Sequence, residues 1–363
     1  MQRFSLDAVL SRKKRWPRWM VLTLIVGVTG CAATQESPDK VDDNALYEGR
    51  STVTFSNLPE AKTAEEGIAL GDQQLRAGEF DKALFMYIQA MQLDETNTEA
   101  LYKIGQIHLD RGNTGKAVVA FEGVLARDSE HIYGNEALGI LYLKANRYQD
   151  AHLFFTKSVQ ADRNRLMADK AENTENAEPQ SLTEDEIASL TEQIQADKKS
   201  PAHAYNGLGV VADLKGDHDK AQSLYDVSLQ INPRAAITLS NKGYSYYLSK
   251  QWSKAERAYK AALKINPKSP QAWRNLGLLY ARQENYVSAL TAFEQVMDSA
   301  DAHNDVGYIC LLEGKYDRAE YYFDKAMTLS PMYYEKAHEN MKLTQRLRDS
   351  QITQFTPQPK QKD

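Results

Sequence analysis

The chain has 363 residues, 42% of them hydrophobic and 26% charged, with two cysteines and a formal charge of −5. That composition excludes a polytopic membrane protein, a collagen-like chain and a wholly disordered one, and two cysteines are too few for a disulfide scaffold or a thiolate metal site. Residues 1–30 hold six bases against one acid, which leaves the rest of the chain at −10; an acidic body of that kind does not suit nucleic-acid phosphate, so no nucleic-acid partner is expected.

In chain order, the first element reads as an export signal. Arg12, Lys13, Lys14, Arg15 and Arg18 precede the apolar run Trp19-Met-Val-Leu-Thr-Leu-Ile-Val-Gly-Val-Thr-Gly30, and Cys31 and a polar segment follow. A basic region, a short apolar core and small residues before a cut site are the layout of a secretory signal. Those 12 residues would span ~18 Å as a helix against a hydrocarbon core of ~30 Å, so a permanent transmembrane anchor is the weaker reading. The stretch Val28-Thr29-Gly30-Cys31 resembles the bacterial lipobox. The resemblance implies cleavage between Gly30 and Cys31, loss of residues 1–30 as a lipoprotein signal peptide, and acylation of Cys31 with palmitate-type chains; two or more such chains attach a protein stably to a membrane. An ordinary secreted protein with a cysteine there by chance is the alternative. Arg12-Lys13 is not a twin-arginine pair, which points to the general export route, and Ala32 replaces the aspartate that would retain a lipoprotein at the inner membrane. The expectation is a Gram-negative outer-membrane lipoprotein facing the periplasm. Residues 31–63, the lipidated N-terminus and a flexible linker, are polar and without helical periodicity; ~32 such residues have an r.m.s. span near 30 Å.

The body is one pattern repeated. Seven times a glycine is followed twelve residues later by an alanine and four later again by an aromatic: Gly71/Ala83/Tyr87, Gly105/Ala117/Phe121, Gly139/Ala151/Phe155, Gly209/Ala221/Tyr225, Gly243/Ala255/Tyr259, Gly277/Ala289/Phe293 and Gly307/Ala319/Phe323. The glycine spacings are 34, 34, 70, 34, 34 and 30. An aliphatic residue precedes each glycine except at Lys242, a loop signal follows seven residues on at Gly78, Gly112, Asn146, Gly216 and Gly314, and Pro233, Pro267 and Pro331 end three units. This pattern resembles the tetratricopeptide repeat. The expected fold is therefore all-α, a right-handed solenoid of about seven helix-turn-helix repeats with a C-terminal capping helix. In each unit, glycine on helix A and alanine on helix B are expected to let the two backbones approach. A larger side chain at either would cost ~1–3 kcal/mol. The aromatic on B is expected to fill the gap towards the next repeat, worth ~3–5 kcal/mol on truncation.

Repeats 1–3 are placed at 64–165 and repeats 4–7 at 202–333. Between them the spacing of 70 leaves an insertion at 166–201 with nine acids and three bases. It is read as a disordered stretch followed by one short helix, because Thr183 with Glu186 forms a capping box ahead of Ile187, Leu190 and Ile194. It is either a tolerated surface insertion or a segment that docks on the solenoid or on a partner. The spacing of 30 between Gly277 and Gly307 makes the sixth unit one helical turn short. Tyr334, Ala337 and Met341 form an apolar edge that lapses at Thr344, which suits a capping helix over 334–350 and a disordered tail over 351–363. Cys310 falls on an apolar helical face, where a thiol is buried and inert.

Motifs for chemistry are lacking. The seven histidines include no i, i+4 pair, no HExxH, GxSxG or GxGxxG motif occurs, and Gly112-Asn-Thr-Gly115-Lys116-Ala117 has the wrong spacing for a phosphate loop. No catalytic residue, metal or cofactor is expected, and the protein is not read as an enzyme. What the repeat family implies is a peptide groove lined by the A helices, with contacts from the second, fifth, ninth and twelfth residues of each unit. Carried over one by one, these include Tyr102, Gln106, Tyr133, Glu136, Asn206, Val210, Ser240, Tyr244, Tyr247, Arg274, Leu278, Asn304 and Tyr308. Tyr244, Tyr247, Arg274 and Tyr308 are read as a cluster, aromatics and arginine being the types that dominate interface energies. The carboxylate clamp of chaperone adaptors wants Lys and Asn at the fifth and ninth positions of one unit; Arg274 and Leu278 stand there, so that clamp is not reproduced.

The lipobox, the repeat count and the closing stretch Asn304-Asp-Val-Gly-Tyr308, Glu313-Gly-Lys-Tyr-Asp-Arg-Ala-Glu320 and Ser330-Pro-Met-Tyr-Tyr334 together resemble the assembly lipoproteins of tight-adherence (Flp) pili, the TadD family. That resemblance implies a lipid-anchored adaptor whose partner is the pilus secretin or another pilus component. A pilotin of another secretin system and a scaffold recruiting peptidoglycan hydrolases or synthases are the alternatives.

Overall fold

In the computed structural model, whose described residues are 58–172 and 196–355, every glycine–alanine–aromatic triplet becomes a pair of antiparallel helices. Repeat 1 is α1 (Ala64–Arg76) and α2 (Phe80–Leu93), repeat 2 is α3 (Thr98–Asp110) and α4 (Thr114–Arg127), and repeat 3 is α5 (Ile132–Lys144) and α6 (Tyr148–Glu172). Repeat 4 is α7 (Ala202–Lys215) and α8 (His218–Ile231), repeat 5 is α9 (Ala236–Leu248) and α10 (Trp252–Ile265), repeat 6 is α11 (Pro270–Arg282) and α12 (Tyr286–Phe293), and repeat 7 is α13 (Ser299–Leu312) and α14 (Tyr316–Leu329). A last helix, α15 (Glu335–Phe355), follows. Among the described residues there is no strand, and the fold is an all-α solenoid. The signal sequence, Gly30, Cys31, the linker as far as residue 57, the expected helix around Ile187 and the last eight residues lie outside the described residues.

The helices begin where short polar side chains reach a free backbone N–H. Thr63, Asn97, Ser269 and Asp298 each accept from the N–H three residues on, at 3.2, 3.0, 3.3 and 2.8 Å. The A-to-B turn needs one residue in the left-handed region. It falls seven residues after the repeat glycine in all seven units: Gly78, Gly112, Asn146, Gly216 and Gly314, as the loop signals indicate, and also Lys250 and Glu284, both at φ 61°.

The alanines are all fully buried: Ala83, Ala117, Ala151, Ala221, Ala255, Ala289 and Ala319 are each 0% exposed. Each repeat glycine lies against the aromatic of its own repeat. A Cβ on Gly71, Gly105, Gly139, Gly209, Gly243, Gly277 or Gly307 would stand 2.4–2.8 Å from the ring of Tyr87, Phe121, Phe155, Tyr225, Tyr259, Phe293 or Phe323 of the same repeat. The nearest atoms belong to the ring, with Tyr322 Cβ next at 3.2 Å in the case of Gly307. The glycine thus makes a seat for the aromatic of its own hairpin, because the ring, one turn beyond the alanine on helix B, reaches across to helix A first. Gly207 meets Phe155 from the following repeat in the same way, at 2.2 Å, so that ring also spans a repeat boundary. Lys242, the exception before a glycine, pairs with Asp226 on the preceding repeat and lies 5.5 Å from the Tyr246 ring centroid.

Two boundaries, those of α6 and α15, differ from the sequence reading, and the short sixth unit is located in its B helix. Helix α6 continues past 165 to Glu172, because Arg165 stays inside it, pairing with Asp162 at 2.7 Å and Asp169 at 3.1 Å. Helix α12 ends at Phe293 after eight residues, where α10 and α14 have fourteen, which accounts for the short spacing of the sixth unit. Helix α15 runs beyond 350 to Phe355, and at Thr344 its apolar edge gives way to a polar one that still faces inward. Thr344 is fully buried, its hydroxyl donating to the Asn340 carbonyl at 2.7 Å, and Arg348 one turn later holds Glu320 of α14 at 2.8 Å. Cys310 is fully buried among Tyr286, Phe293 and Phe323, and burial pushes its thiol pKa up.

Candidate functional site

Successive A helices approach one another, least so between repeats 2 and 3, whereas successive B helices meet each other less closely. A stack that is tighter on its A side curves towards that side, so the A helices line the concave face. The fifth and ninth positions of each unit are one turn apart on an A helix and share one of its faces.

Most of the expected groove residues are committed to the fold. Tyr102 sits 5.6 Å from the Phe121 ring and 6.3 Å from Tyr133, burial pushes its hydroxyl pKa up to about 12, and Gln106 donates to it at 3.0 Å. Tyr133 donates to the Lys199 carbonyl at 2.6 Å, and the buried Glu136 accepts from the N–H of Ala204 at 3.0 Å. Val210 and Leu278 pack into the core, Ser240 is buried, and Tyr308 is half-buried against the last cluster. Asn304 is removed from the groove altogether: it is 0% exposed and its carbonyl accepts from Asn340 of α15 at 3.0 Å. The capping helix covers the position where the next repeat's A helix would otherwise stack.

The aromatic cluster of repeat 5 forms, with a different arginine. Tyr244 and Tyr247 stack at 5.8 Å with 15° between planes, and Trp252 meets Tyr247 edge-on at 5.4 Å. Tyr247 is only 8% exposed, and burial raises its hydroxyl pKa. Its hydroxyl accepts from Arg282 Nε at 2.9 Å, and Arg282 reaches on to Glu313 at 3.1 Å, which Lys315 holds at 2.8 Å. This chain ties repeats 5, 6 and 7 together across the shortened α12. Arg274 is not part of it. It stays exposed on α11, with neither ion pair nor hydrogen bond among the described residues.

A second polar network joins repeats 4 and 5. Asp213 accepts from Ser245 at 2.8 Å and from Tyr225 at 2.9 Å, and His218 Nδ1 lies 2.8 Å away. Burial raises the Asp213 carboxyl above the usual range, against the pull of those partners. Asn206 accepts from Asn241 at 3.0 Å, and Asn241 accepts from Gln271 at 3.1 Å, a ladder running along three A helices. Asp213 stands at the twelfth position of its unit, so the register that selected Tyr247 also reaches it; Arg282 and Glu313 fall outside that register and carry no such signal.

What remains open on the late A helices is Arg274 of repeat 6, with half-buried Tyr244 on repeat 5 and half-buried Asn206 on repeat 4. Among the described residues, no group of three or more His, Cys, Asp or Glu is placed to hold a metal ion, and no helix is long and apolar enough to cross a membrane.

Sequence models described as the tetratricopeptide repeat match residues 68–132, 102–165, 243–310 and 300–333, together just over half of the chain. Repeat 4 lies outside these matches, and there the hairpin of α7 and α8, with Tyr225 seated on Gly209, makes the assignment. Among solved structures, the chain is similar to a tetratricopeptide-repeat protein from Parabacteroides merdae, with 17% identity over 78% of this chain and 98% of that one and a TM-score of 0.45. It is also similar to PilW, a widely conserved type IV pilus biogenesis factor, with 16% identity over 76% and 97% and a TM-score of 0.42. PilF of Pseudomonas aeruginosa matches with 14% identity over 63% and 88% and a TM-score of 0.46. Folds of this kind typically serve as protein-interaction scaffolds, through their extended concave faces. With the same hairpin built seven times and the repeat models matching on both sides of the insertion, this chain belongs to the tetratricopeptide-repeat proteins.

Proposed function

We propose that the protein is a lipid-anchored adaptor, held through Cys31 at the periplasmic side of a Gram-negative outer membrane, which grips the secretin of a tight-adherence (Flp-type) pilus on the concave face of repeats 4–7. The observation that carries the binding part is Arg274: an exposed guanidinium without an ion pair, on an A helix, one repeat from the Tyr244–Tyr247 stack. A free arginine is suited to a partner carboxylate, which it engages through paired N–H donors, and the stacked aromatics one repeat away are of a residue type that dominates interface energies. The anchor and the pilus assignment rest on the sequence: the Val28–Cys31 lipobox and the closing stretch from Asn304 to Tyr334.

Crosslinking of the lipidated protein in cells, followed by mass spectrometry, tests this reading. Recovery of a secretin with pilus subunits supports it. Recovery of peptidoglycan hydrolases or synthases, or of a secretin from another system, sinks the pilus assignment and leaves the adaptor. The double variant Arg274→Ala with Tyr244→Ala should weaken the crosslink while helicity stays intact; an unchanged yield removes the late concave face. Cys31→Ser should abolish detergent partitioning, and a variant still found in the membrane fraction defeats the anchor.

A further inference from the structure

A second surface lies away from the A-helix face. A cleft of about 340 Å³ opens between α10, α11 and the short helix α12. Leu263, Leu276 and Ala292 form its floor, Trp273 and Tyr280 its walls, and Lys260 stands at its rim. The walls are fixed: Trp273 Nε1 donates to the Pro267 carbonyl at 2.8 Å and the Tyr280 hydroxyl to Glu256 at 2.9 Å.

The charge around this cleft runs against the rest of the chain. Residues 250–282 contain eight bases and one acid, in a body that is −10 outside its first 30 residues. Lys254, Arg257, Lys260 and Lys264 recur at intervals of three and four along α10, and all are exposed. They therefore form one stripe opposite the face of Ala255, Tyr259 and Ala262 that packs inward. Lys260 is paired with Glu256 at 2.7 Å, whereas Arg257 and Lys264 have no ion pair among the described residues.

We infer that this cleft is a docking site for an acidic segment of a partner protein that carries apolar residues at helical spacing. The stripe supplies attraction and orientation, and the cleft supplies apolar burial. A flat bilayer cannot enter a cleft walled by Trp273 and Tyr280, and a nucleic-acid backbone has no apolar side chain to fill it.

The probe is a fluorescein-labelled peptide with the sequence of residues 181–195, which contains four acids, no base, and Ile187, Leu190 and Ile194. Anisotropy with the full chain should show saturable binding. Arg257→Glu with Lys264→Glu should weaken it about tenfold, as should Thr291→Trp, which fills the cleft from an exposed position. A peptide with serine at the three apolar positions should lose about as much. Unchanged affinity in the charge-reversal or cleft-filling variant, with circular dichroism preserved, overturns the site. Equal binding of the serine peptide reduces it to bare charge attraction, and competition by anionic vesicles or single-stranded DNA gives the stripe to those surfaces instead. Markedly tighter binding by a chain whose residues 173–195 are replaced with a glycine–serine linker would make the chain's own segment the occupant and overturn the external partner.

Discussion

Glu136 on α5 accepts a hydrogen bond at 3.0 Å from the backbone N–H of Ala204 on α7, 68 residues further along the chain. Pro201, the residue at the cap position of α7, makes no side-chain bond to it, so the cap comes from the preceding repeat. Tyr133 holds the Lys199 carbonyl beside it, and Arg165 grips both oxygens of Asp197 at 3.0 and 2.9 Å. Repeat 4 thereby stacks on repeat 3 as an ordinary neighbour, and the solenoid continues across the insertion.

Removing this cap should be costly. Glu136→Ala is expected to lose ~1–2 kcal/mol in urea denaturation, while Glu136→Gln, which keeps an acceptor, loses much less. Burial raises the Glu136 carboxyl above its usual 4.5, against His203 and the backbone N–H groups that favour its charge. With the folded value raised, the folded chain keeps a proton that the unfolded chain has released. The resulting stability is fully present below 4.5 and is lost as pH rises through the folded value. Wild type should therefore gain on Glu136→Gln as pH is lowered through that window, and a difference independent of pH would contradict the assignment.

The turn of repeat 5 is strained where repeat 4 is not. Lys250 holds φ 61°, and its counterpart in repeat 4 is Gly216 at φ 85°. A left-handed conformation costs an L-residue ~1–2 kcal/mol, partly offset by the greater unfolded-state entropy of glycine. Lys250→Gly should raise the stability by up to ~1 kcal/mol, read as an increase in Tm, and Gly216→Ala should lower it. A destabilised Lys250→Gly would show that the lysine side chain has a structural role.

Glycines at different places should respond oppositely to alanine. A Cβ at Gly139 would stand 2.5 Å from the Phe155 ring, whereas one at Gly115 meets nothing within 4 Å. Gly139→Ala is expected to cost ~1–3 kcal/mol through displacement of that ring. Gly115→Ala, in the first turn of α4, should gain up to ~1 kcal/mol of helix propensity. Denaturation midpoints of the two variants test the pair directly.

The two late arginines should separate folding from binding. Arg282→Ala leaves Tyr247 and half of Glu313 without their partner and should cost ~1–3 kcal/mol. Arg274→Ala should change stability by less than ~0.5 kcal/mol, being exposed and unpaired. Comparable losses in both would place Arg274 in the fold and take it off the concave face.

The register of glycine, alanine and aromatic determined seven hairpins, their order and their turn positions from the sequence alone. Each hairpin is closed by contacts within one repeat, so the information needed lies within about 34 residues. The lipobox resemblance likewise rests on one contiguous stretch, Val28–Cys31. Tertiary structure alone decided that Tyr87 and its equivalents sit on the glycines of their own repeats. It also decided that Arg282 and not Arg274 joins Tyr247, that Asn304 is sealed beneath α15, and that Glu136 is spent on capping α7. The last three outcomes depend on what the neighbouring repeat lays over a side chain, some 30 to 70 residues away, and on how far each B helix runs. An A-helix position has one register but many possible covers, and only the assembled stack chooses between them.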